Sequence, residues 1–161
     1  MFKSKNTFLI GGKTTVIVDS KGCKIKIDTE DLNRVKDFTW NYNIQRTTNY
    51  VLNAKTGKSI HRVIMSCTDD LCVDHINGDT LDNRKCNLRI CTKAENSYNH
   101  CVPKNSPLGV TGVTKRRGKY LARITVKGVT YHLGFYSTFE EAIKVRKEAE
   151  EKYFGEYRRK D

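Results

Sequence analysis

The chain has 161 residues, enough for one large domain or two small ones, and we expect two small ones. Its 30 Lys and Arg residues outnumber 18 Asp and Glu residues, so the formal net charge is +12. This charge favours a polyanionic partner, nucleic acid first, although net charge alone is equally compatible with a basic surface that has no such partner. No apolar run approaches the ~18 to 20 residues that a membrane-spanning helix needs, so no membrane partner is expected.

Six cysteines could belong to disulfides or to a zinc site. No two of them form a Cys-x-x-Cys pair, and the first 13 residues lack the apolar core and cleavage site of a secretory signal. We therefore expect free thiols in a reducing compartment and a protein that is not secreted. Structural zinc is not expected, because its ligands usually come at tighter spacings.

The first half of the chain contains short strand-like segments. Residues 14–28 alternate in β-branched bursts on either side of a Ser-Lys-Gly step, which predicts a β-hairpin. Residues 40–42 and 50–52 are typical of two more short strands. We expect these segments to build a small mixed core.

A short helix is predicted between the hairpin and the next strand. Asp28 or Thr29 can cap it, and apolar side chains follow at Leu32, Val35 and Phe38. Intervals of three residues are typical of the buried side of a helix.

The second half begins with a segment that we interpret as a linker, residues 102–107. Pro103 and Pro107 remove backbone donors and disfavour helix in the residue before each. Residues 109–135 then hold three strand-like runs separated by two glycine-containing turns, which predicts three antiparallel strands.

A helix that packs on this sheet is predicted over residues 137–153. Thr138 and Glu141 form a capping box, apolar residues recur at helical spacing, and Gly155 supplies a stop.

The predicted sheet carries the net charge of this half. Residues 102–139 contain seven basic side chains and no Asp or Glu. The basic residues are Lys104, Lys115, Arg116, Arg117, Lys119, Arg123 and Lys127. Alternation in the middle strand puts Arg123, Thr125 and Lys127 on the face away from the helix. Such a face can dock on phosphates or enter a DNA groove; a solvated face without a partner is the alternative.

The segments TGVTKRRGKYLARITV and YHLGFYSTFEEAIKVRKEAEEKYFGE resemble the APETALA and ethylene-response-factor type of plant DNA-binding domain. The resemblance implies a three-stranded antiparallel sheet packed on one helix, with the sheet contacting double-stranded DNA. By this resemblance, the positions at which the family has DNA-contacting residues are occupied here by Thr114, Arg116, Arg123, Thr125, Thr130 and His132. The plant domains carry arginine where Thr114, Thr125 and Thr130 stand and tryptophan where His132 stands, so their base preference does not carry over. With neighbouring basic residues, the candidate DNA-binding set is Thr114, Arg116, Arg117, Lys119, Arg123, Thr125, Lys127, Thr130 and His132.

The segment VDHINGD sets a carboxylate beside an imidazole at the end of a short apolar run. In an extended segment Asp74 and His75 point to opposite sides. Asp74 could hold a divalent cation while a neutral His75 accepts a proton from water near neutral pH. Phosphodiester hydrolysis needs both functions: a base for the nucleophile, and a metal that neutralises charge on the phosphate and the leaving oxygen.

A second capping box, Thr92 with Glu95, predicts a helix over about residues 93–100. Asn96 and His100 lie four residues apart on one face of that helix, so either could return a ligand to the metal. The amide oxygen of Asn96 is the first choice because it suits a hard cation such as Mg²⁺, and His100 is the reserve.

The motifs DHINGD, DNR, NLR and T-x-x-E-N occur in order, and the pattern resembles the HNH nuclease family. The resemblance implies a ββα-metal fold, in which a β-hairpin and a helix clasp one divalent metal, Mg²⁺ or Mn²⁺. It implies that His75 is the general base, that Asn87 orients it, and that Asn96 fills the third position of the motif. Asn83 and Asn87 could instead be turn residues that satisfy loop backbone, an alternative that the sequence favours for Asn83.

The sequence as a whole predicts an α+β protein. The two resemblances imply an HNH domain at residues 1–101 with its ββα-metal motif at about 71–100, a linker at 102–107 and an APETALA-like domain at 108–158. Phage and mobile-intron proteins with this arrangement imply a homing or phage-type endonuclease that hydrolyses duplex DNA to 3′ hydroxyl and 5′ phosphate ends. We expect it in the cytoplasm of a prokaryotic or phage-infected cell, with no obligate protein partner. A DNA-binding regulator without catalysis and a protein that acts on RNA are the alternatives.

Overall fold

The structure is a computed structural model, which describes residues 5–44, 49–99 and 108–158. The predicted linker at 102–107 and the reserve ligand His100 lie outside the described residues.

Contacts within the chain divide it into two compact units, and the first is Met1–Lys93. Within the described residues, this unit contains three small antiparallel sheets. Their strands are β1 (Thr7–Ile10), β2 (Thr14–Val18), β3 (Lys24–Asp28), β4 (Trp40–Ile44), β5 (Asn49–Asn53), β6 (Cys72–His75) and β7 (Leu88–Cys91). The first three strands form one sheet in chain order, β4 pairs with β5, and β6 pairs with β7. Two short helices, α1 (Leu32–Val35) and α2 (Ile60–Ile64), lie between them in the chain.

The hairpin predicted over residues 14–28 is confirmed as β2 and β3, with Ile17 opposite Ile25. Because side chains alternate between the faces of a strand, Ile17, Ile25 and Ile27 all point into the core and are fully buried. The two predicted strands that follow are confirmed as β4 and β5. β1 was not predicted; it pairs with β2 although Leu9 and Ile10 remain exposed.

The helix predicted after the hairpin is shorter than its apolar spacing indicates. α1 ends at Val35, and Phe38 is 43% exposed, so the expectation that Phe38 continues a buried helical side is wrong. The chain must turn here because Trp40 begins β4 and is fully buried. The indole Nε1 of Trp40 donates to the carbonyl of Val35 at 2.9 Å, which satisfies a carbonyl at the helix end.

The second unit, Ala94–Asp161, contains the predicted three strands and helix. The strands are β8 (Val113–Arg116), β9 (Lys119–Val126) and β10 (Val129–Tyr136), all antiparallel with β9 in the centre. A short helix, α3 (Lys93–Asn96), precedes the strands in the chain. The helix α4 (Phe139–Phe154) follows them and packs Ala142 against Val113 and Ala122 of the sheet. Both hydrogen bonds of the predicted capping box between Thr138 and Glu141 are present. Neither α4 nor any other helix of the described residues is long and apolar enough to cross a membrane.

The turns of this sheet place one residue, Lys127, differently from the side-chain alternation predicted for the middle strand. Arg117 and Lys127 both have positive φ and each precedes a glycine with positive φ, the backbone of a two-residue type I′ hairpin turn. Lys127 was expected on the open strand face, and this placement is wrong because β9 ends at Val126 and Lys127 forms the turn. Lys127 is exposed there.

The helix predicted over about residues 93–100 begins at Lys93 as expected, but its α-helical part is shorter. α3 (Lys93–Asn96) covers one turn and continues as a 3-10 turn through Asn99. The described residues therefore form the α+β architecture expected from the sequence, with several small antiparallel sheets. The clasping of a metal by hairpin and helix stays a prediction.

Candidate active site

Asp74 and His75 end strand β6, where the hairpin with β7 brings them against the core of the first unit. Asp74 lies opposite Arg89 and His75 lies opposite Leu88 in the pairing. The apolar neighbours Val73 and Leu88 are buried in the core, which anchors the hairpin. Both polar residues are consequently enclosed: Asp74 is 8% exposed and His75 is 4% exposed.

The imidazole of His75 is held by three side chains from other parts of the unit. Its Nε2 lies 3.1 Å from Oδ1 of Asn83. The ring of Tyr50 stacks at a centroid distance of 6.3 Å, and the ring of His61 packs edge to face at 5.0 Å. The orientation of the His75 ring is therefore set by residues up to 25 positions away in the chain.

Asn83, which the sequence favours as a turn residue, is a hydrogen-bonding partner of His75. It is 0% exposed, and its Nδ2 donates to the carbonyl of Thr80 at 3.1 Å. Its backbone N–H donates to the carbonyl of Lys26 on β3 at 2.8 Å. The signal for this role in the sequence is the DNR motif, but the motif does not show which side chain Asn83 contacts.

Asn87 closes the loop between His75 and β7. Its Oδ1 accepts from the backbone N–H of Asn77 at 3.0 Å, and its Nδ2 donates to the carbonyl of Asp82 at 2.8 Å. Its backbone carbonyl accepts from Ile76 at 2.9 Å. The residue expected to orient His75 thus holds the two ends of the loop that follows His75.

Asp74 forms a largely buried ion pair with Arg89 across the hairpin. Nε and Nη2 of Arg89 lie 2.9 and 2.5 Å from the same oxygen, Oδ2. The structure thus places the guanidinium of Arg89 on the carboxylate of Asp74. An ion pair removed from water is retained only with close contact of this kind, since each charge loses its hydration.

Burial lowers the pKa of both histidines in the site. For His75 this lowering outweighs the hydrogen bond to Asn83 and the negative charge of Asp74, both of which raise the pKa. For His61, burial together with the neighbouring His75 and Arg62 lowers the pKa to about 3. His61 also lies with Nε2 3.1 Å from the Ser59 hydroxyl. Both rings are therefore neutral near pH 7, as a proton acceptor must be.

The side chains of the site show whether it could bind a metal ion. Within the described residues, no group of three or more His, Cys, Asp and Glu side chains is placed to hold a metal ion. Mg²⁺ usually takes one or two carboxylates and completes its shell with water and substrate phosphates, so the Asp74 carboxylate suits such a cation. Asn96 lies on α3, at the start of the second unit, and its role as a ligand stays a prediction.

In the second unit, the candidate DNA-binding residues are all exposed. Thr130 lies opposite Thr125 and His132 opposite Arg123, so these four share the face of the sheet away from α4. The hydroxyls of Thr125 and Thr130 are 3.0 Å apart and hydrogen-bonded. The remaining members are Thr114, Arg116 and Lys119 on β8 and β9, and Arg117 and Lys127 at the turns.

Comparison with known proteins relates the region around Asp74 to a nuclease family. Residues 67–98 match the HNH endonuclease family. An uncharacterised HNH endonuclease of Acanthamoeba polyphaga mimivirus is 30% identical over 115 residues, which cover 67% of this chain and 60% of that protein. No solved structure matches the chain. The chain therefore carries an HNH endonuclease domain; the likeness of its second unit to the plant DNA-binding domains stays a prediction.

Proposed function

We propose that the chain is a metal-dependent endonuclease, of homing or phage type, that hydrolyses phosphodiester bonds in duplex DNA. The observation that carries the proposal is the buried pair Asp74 and His75 on the β6–β7 hairpin, inside the region that matches the HNH family. A carboxylate beside a neutral imidazole supplies a metal ligand and a base, the two groups that this hydrolysis needs.

His75 is the general base that takes a proton from the attacking water. Burial keeps its ring neutral, so the ring is ready to accept that proton. Packing by Tyr50 and His61 restricts the ring, which reduces the entropy lost when base and water align. Asn87 contributes by holding the loop after His75.

Asp74 and Asn96 would hold one divalent cation, Mg²⁺ or Mn²⁺, with His100 as the reserve for Asn96. The cation would neutralise charge on the scissile phosphate and on the departing oxygen. Arg89 neutralises Asp74 in the structure, so we expect cation binding to compete with this ion pair. The products would carry a 3′ hydroxyl and a 5′ phosphate.

The open face of the β8–β9–β10 sheet would anchor the nuclease on duplex DNA. Its exposed Arg116, Lys119 and Arg123 lie in a region without Asp or Glu, so acidic side chains do not compete with phosphates for them. Thr125, Thr130 and His132 add hydrogen-bonding groups to the same face.

Cleavage of supercoiled plasmid with Mg²⁺ tests the proposed activity. We expect nicked or linear product from the wild type, and cleavage that stops with a chelator and returns with Mg²⁺ or Mn²⁺. His75→Ala should lower the cleavage rate about 10²- to 10⁴-fold, the usual worth of a general base. DNA affinity, measured by gel shift, should stay unchanged.

A wild type that binds duplex DNA but cleaves none under these conditions would support a regulator without catalysis. Equal cleavage by wild type and His75→Ala would remove His75 as the base. A preference for RNA over duplex DNA in competition would redirect the substrate.

A further inference from the structure

We propose that Asn83 is a positioning residue that fixes His75 as the tautomer with its proton on Nε2, so that Nδ1 is the atom that accepts the proton of water. The inference rests on the proposed nuclease function and names the atom through which His75 acts. It assigns a role to a residue that the sequence favours as a turn residue.

The direction of the hydrogen bond between Asn83 and His75 follows from the other end of the Asn83 amide. That end lies 3.1 Å from the carbonyl oxygen of Thr80, and a carbonyl oxygen only accepts hydrogen bonds. The NH₂ group must therefore face Thr80, which leaves Oδ1 facing His75. Because Oδ1 only accepts, Nε2 of His75 carries the proton. A neutral imidazole has one N–H, so its lone pair is on Nδ1.

The opposite orientation of the amide is disfavoured by burial. Rotating the amide by half a turn would set Oδ1 against the carbonyl of Thr80 and leave both acceptors without a donor. Asn83 is fully buried, so water cannot replace the lost hydrogen bonds. A buried polar group without a partner costs about 1 to 3 kcal/mol, which is enough to hold one orientation.

The backbone of Asn83 is tied to the core sheet of the first unit. The N–H of Asn83 donates to the carbonyl of Lys26, and the N–H of Lys26 donates to the carbonyl of Leu81, both at 2.8 Å. Lys26 stands on β3 between Ile25 and Ile27, which are fully buried. The loop therefore adds to the edge of β3 like a further strand, and this fixes the position from which Asn83 reaches His75.

Ring packing and hydrogen bonding have different effects on His75. Tyr50 lies nearly parallel to the ring, at 25°, and His61 lies nearly perpendicular, at 83°. These contacts limit how the ring tilts, but an apolar ring face does not distinguish the two tautomers. The contact with Asn83 does distinguish them, since Oδ1 attracts N–H and repels a lone pair.

The test reads the tautomer of His75 directly from imidazole ¹⁵N chemical shifts in two-bond ¹H–¹⁵N spectra. The chain has four histidines, and loss of one set of signals in His75→Gln assigns His75. We expect the Nε2–H tautomer in the wild type and a mixture of both tautomers in Asn83→Ala. Asn83→Asp keeps an oxygen acceptor and should keep the Nε2–H tautomer, with a shifted Nε2 resonance because the acceptor is now charged.

Kinetics separate positioning from a structural role. Asn83→Ala should lower kcat about 10- to 100-fold, less than the loss of the base itself, while KM changes less than about twofold because a fully buried side chain does not touch DNA. Asn83→Asp should recover part of kcat. Asn53→Ala is the matched control: Asn53 is buried too, but its Oδ1 accepts from the backbone N–H groups of the turn residues Lys55 and Thr56. It should keep wild-type kcat.

An unchanged tautomer and an unchanged kcat in Asn83→Ala would overturn the inference. If Asn83→Ala does not fold, Asn83→Asp decides, since an unshifted Nε2 resonance there would show that Nε2 does not face this side chain. If the wild type cleaves no DNA, the proposed function fails, while the spectra still decide whether Asn83 sets the tautomer.

Discussion

His61 and His75 pack edge to face, and each is buried with a neutral ring. A second proton on His61 would place a charge out of reach of water and would leave Nδ1, which lacks a hydrogen-bonding partner among the described residues, with an N–H to satisfy. The motif identifies His75 from its neighbours in the chain. It does not identify Tyr50 as a neighbour of His75, because Tyr50 reaches His75 only through folding.

Stability should depend on pH through His61. In the unfolded chain His61 binds a proton with a pKa near 6.5, whereas in the folded protein its pKa is about 3. The unfolded state therefore binds more protons below pH 6.5, so the free energy of unfolding is highest above this pH and falls as the pH drops toward 3. The slope from this one group is at most about 1.4 kcal/mol per pH unit. The lowered pKa of His75 adds a change of the same sign.

Urea unfolding at several values between about pH 5 and 7 measures this slope, in a window above the range in which carboxylates titrate. The free energy of unfolding of His61→Gln should depend less steeply on pH than that of the wild type. An equal slope in both proteins would contradict the assignment of the pH dependence to His61.

At the scale of elements, β3 supports the loop that carries Asn83. The pairing of Lys26 with residues 81–83 joins segments more than 50 positions apart. β3 itself was predicted correctly from its alternation, since alternation is a local property. Its outer edge gave no signal of a partner, because backbone hydrogen bonds can be made to any segment that reaches an edge.

Lys26→Pro tests this support, because proline removes the N–H that Lys26 donates to Leu81. Lys24→Pro is the matched control: Lys24 lies two residues earlier on the same strand, so its backbone N–H points to the same edge. Lys26→Pro should lower the free energy of unfolding by about 1 to 3 kcal/mol more than the control does. It should also lower kcat on plasmid DNA. Equal losses in both variants would show that the loop does not depend on this hydrogen bond.

At the scale of the whole molecule, two compact units carry different chemistry. The first holds the buried groups of the candidate nuclease site, and the second holds an exposed basic sheet face. Charge on that face is not balanced by local acids, whereas α4 carries both signs. Affinity for DNA should therefore depend on the sheet face more than on the total charge of the chain.

Paired charge removals in the full chain test this difference. Arg116→Gln with Arg123→Gln should weaken binding to duplex DNA and reduce the slope of log affinity against log salt by up to about 1.8, since each lost phosphate contact removes about 0.9. Lys144→Gln with Lys147→Gln removes the same charge from exposed positions on α4 and should change the slope little. Equal effects of the two pairs would place DNA elsewhere than on the sheet face.

Local patterns in the sequence determined the strands of the hairpin, the three-stranded sheet, the capping box of α4 and the Asp74–His75 step, because alternation, turns and caps depend on residues a few positions apart. The HNH motif is local in the same sense. The prediction that Phe38 continues the buried side of the helix was wrong because the end of α1 is set by the burial of Trp40 in the core.

Only the tertiary structure decided what surrounds His75 and Asp74. Asn83 becomes a partner of His75 because β3 fixes its loop, and Tyr50 arrives from a separate sheet. The position of Arg89 opposite Asp74 depends on the register of β6 and β7, which core packing of Val73 and Leu88 selects. The residue types in the motif thus specify which chemistry is available, while long-range packing decides which atoms of those residues can perform it.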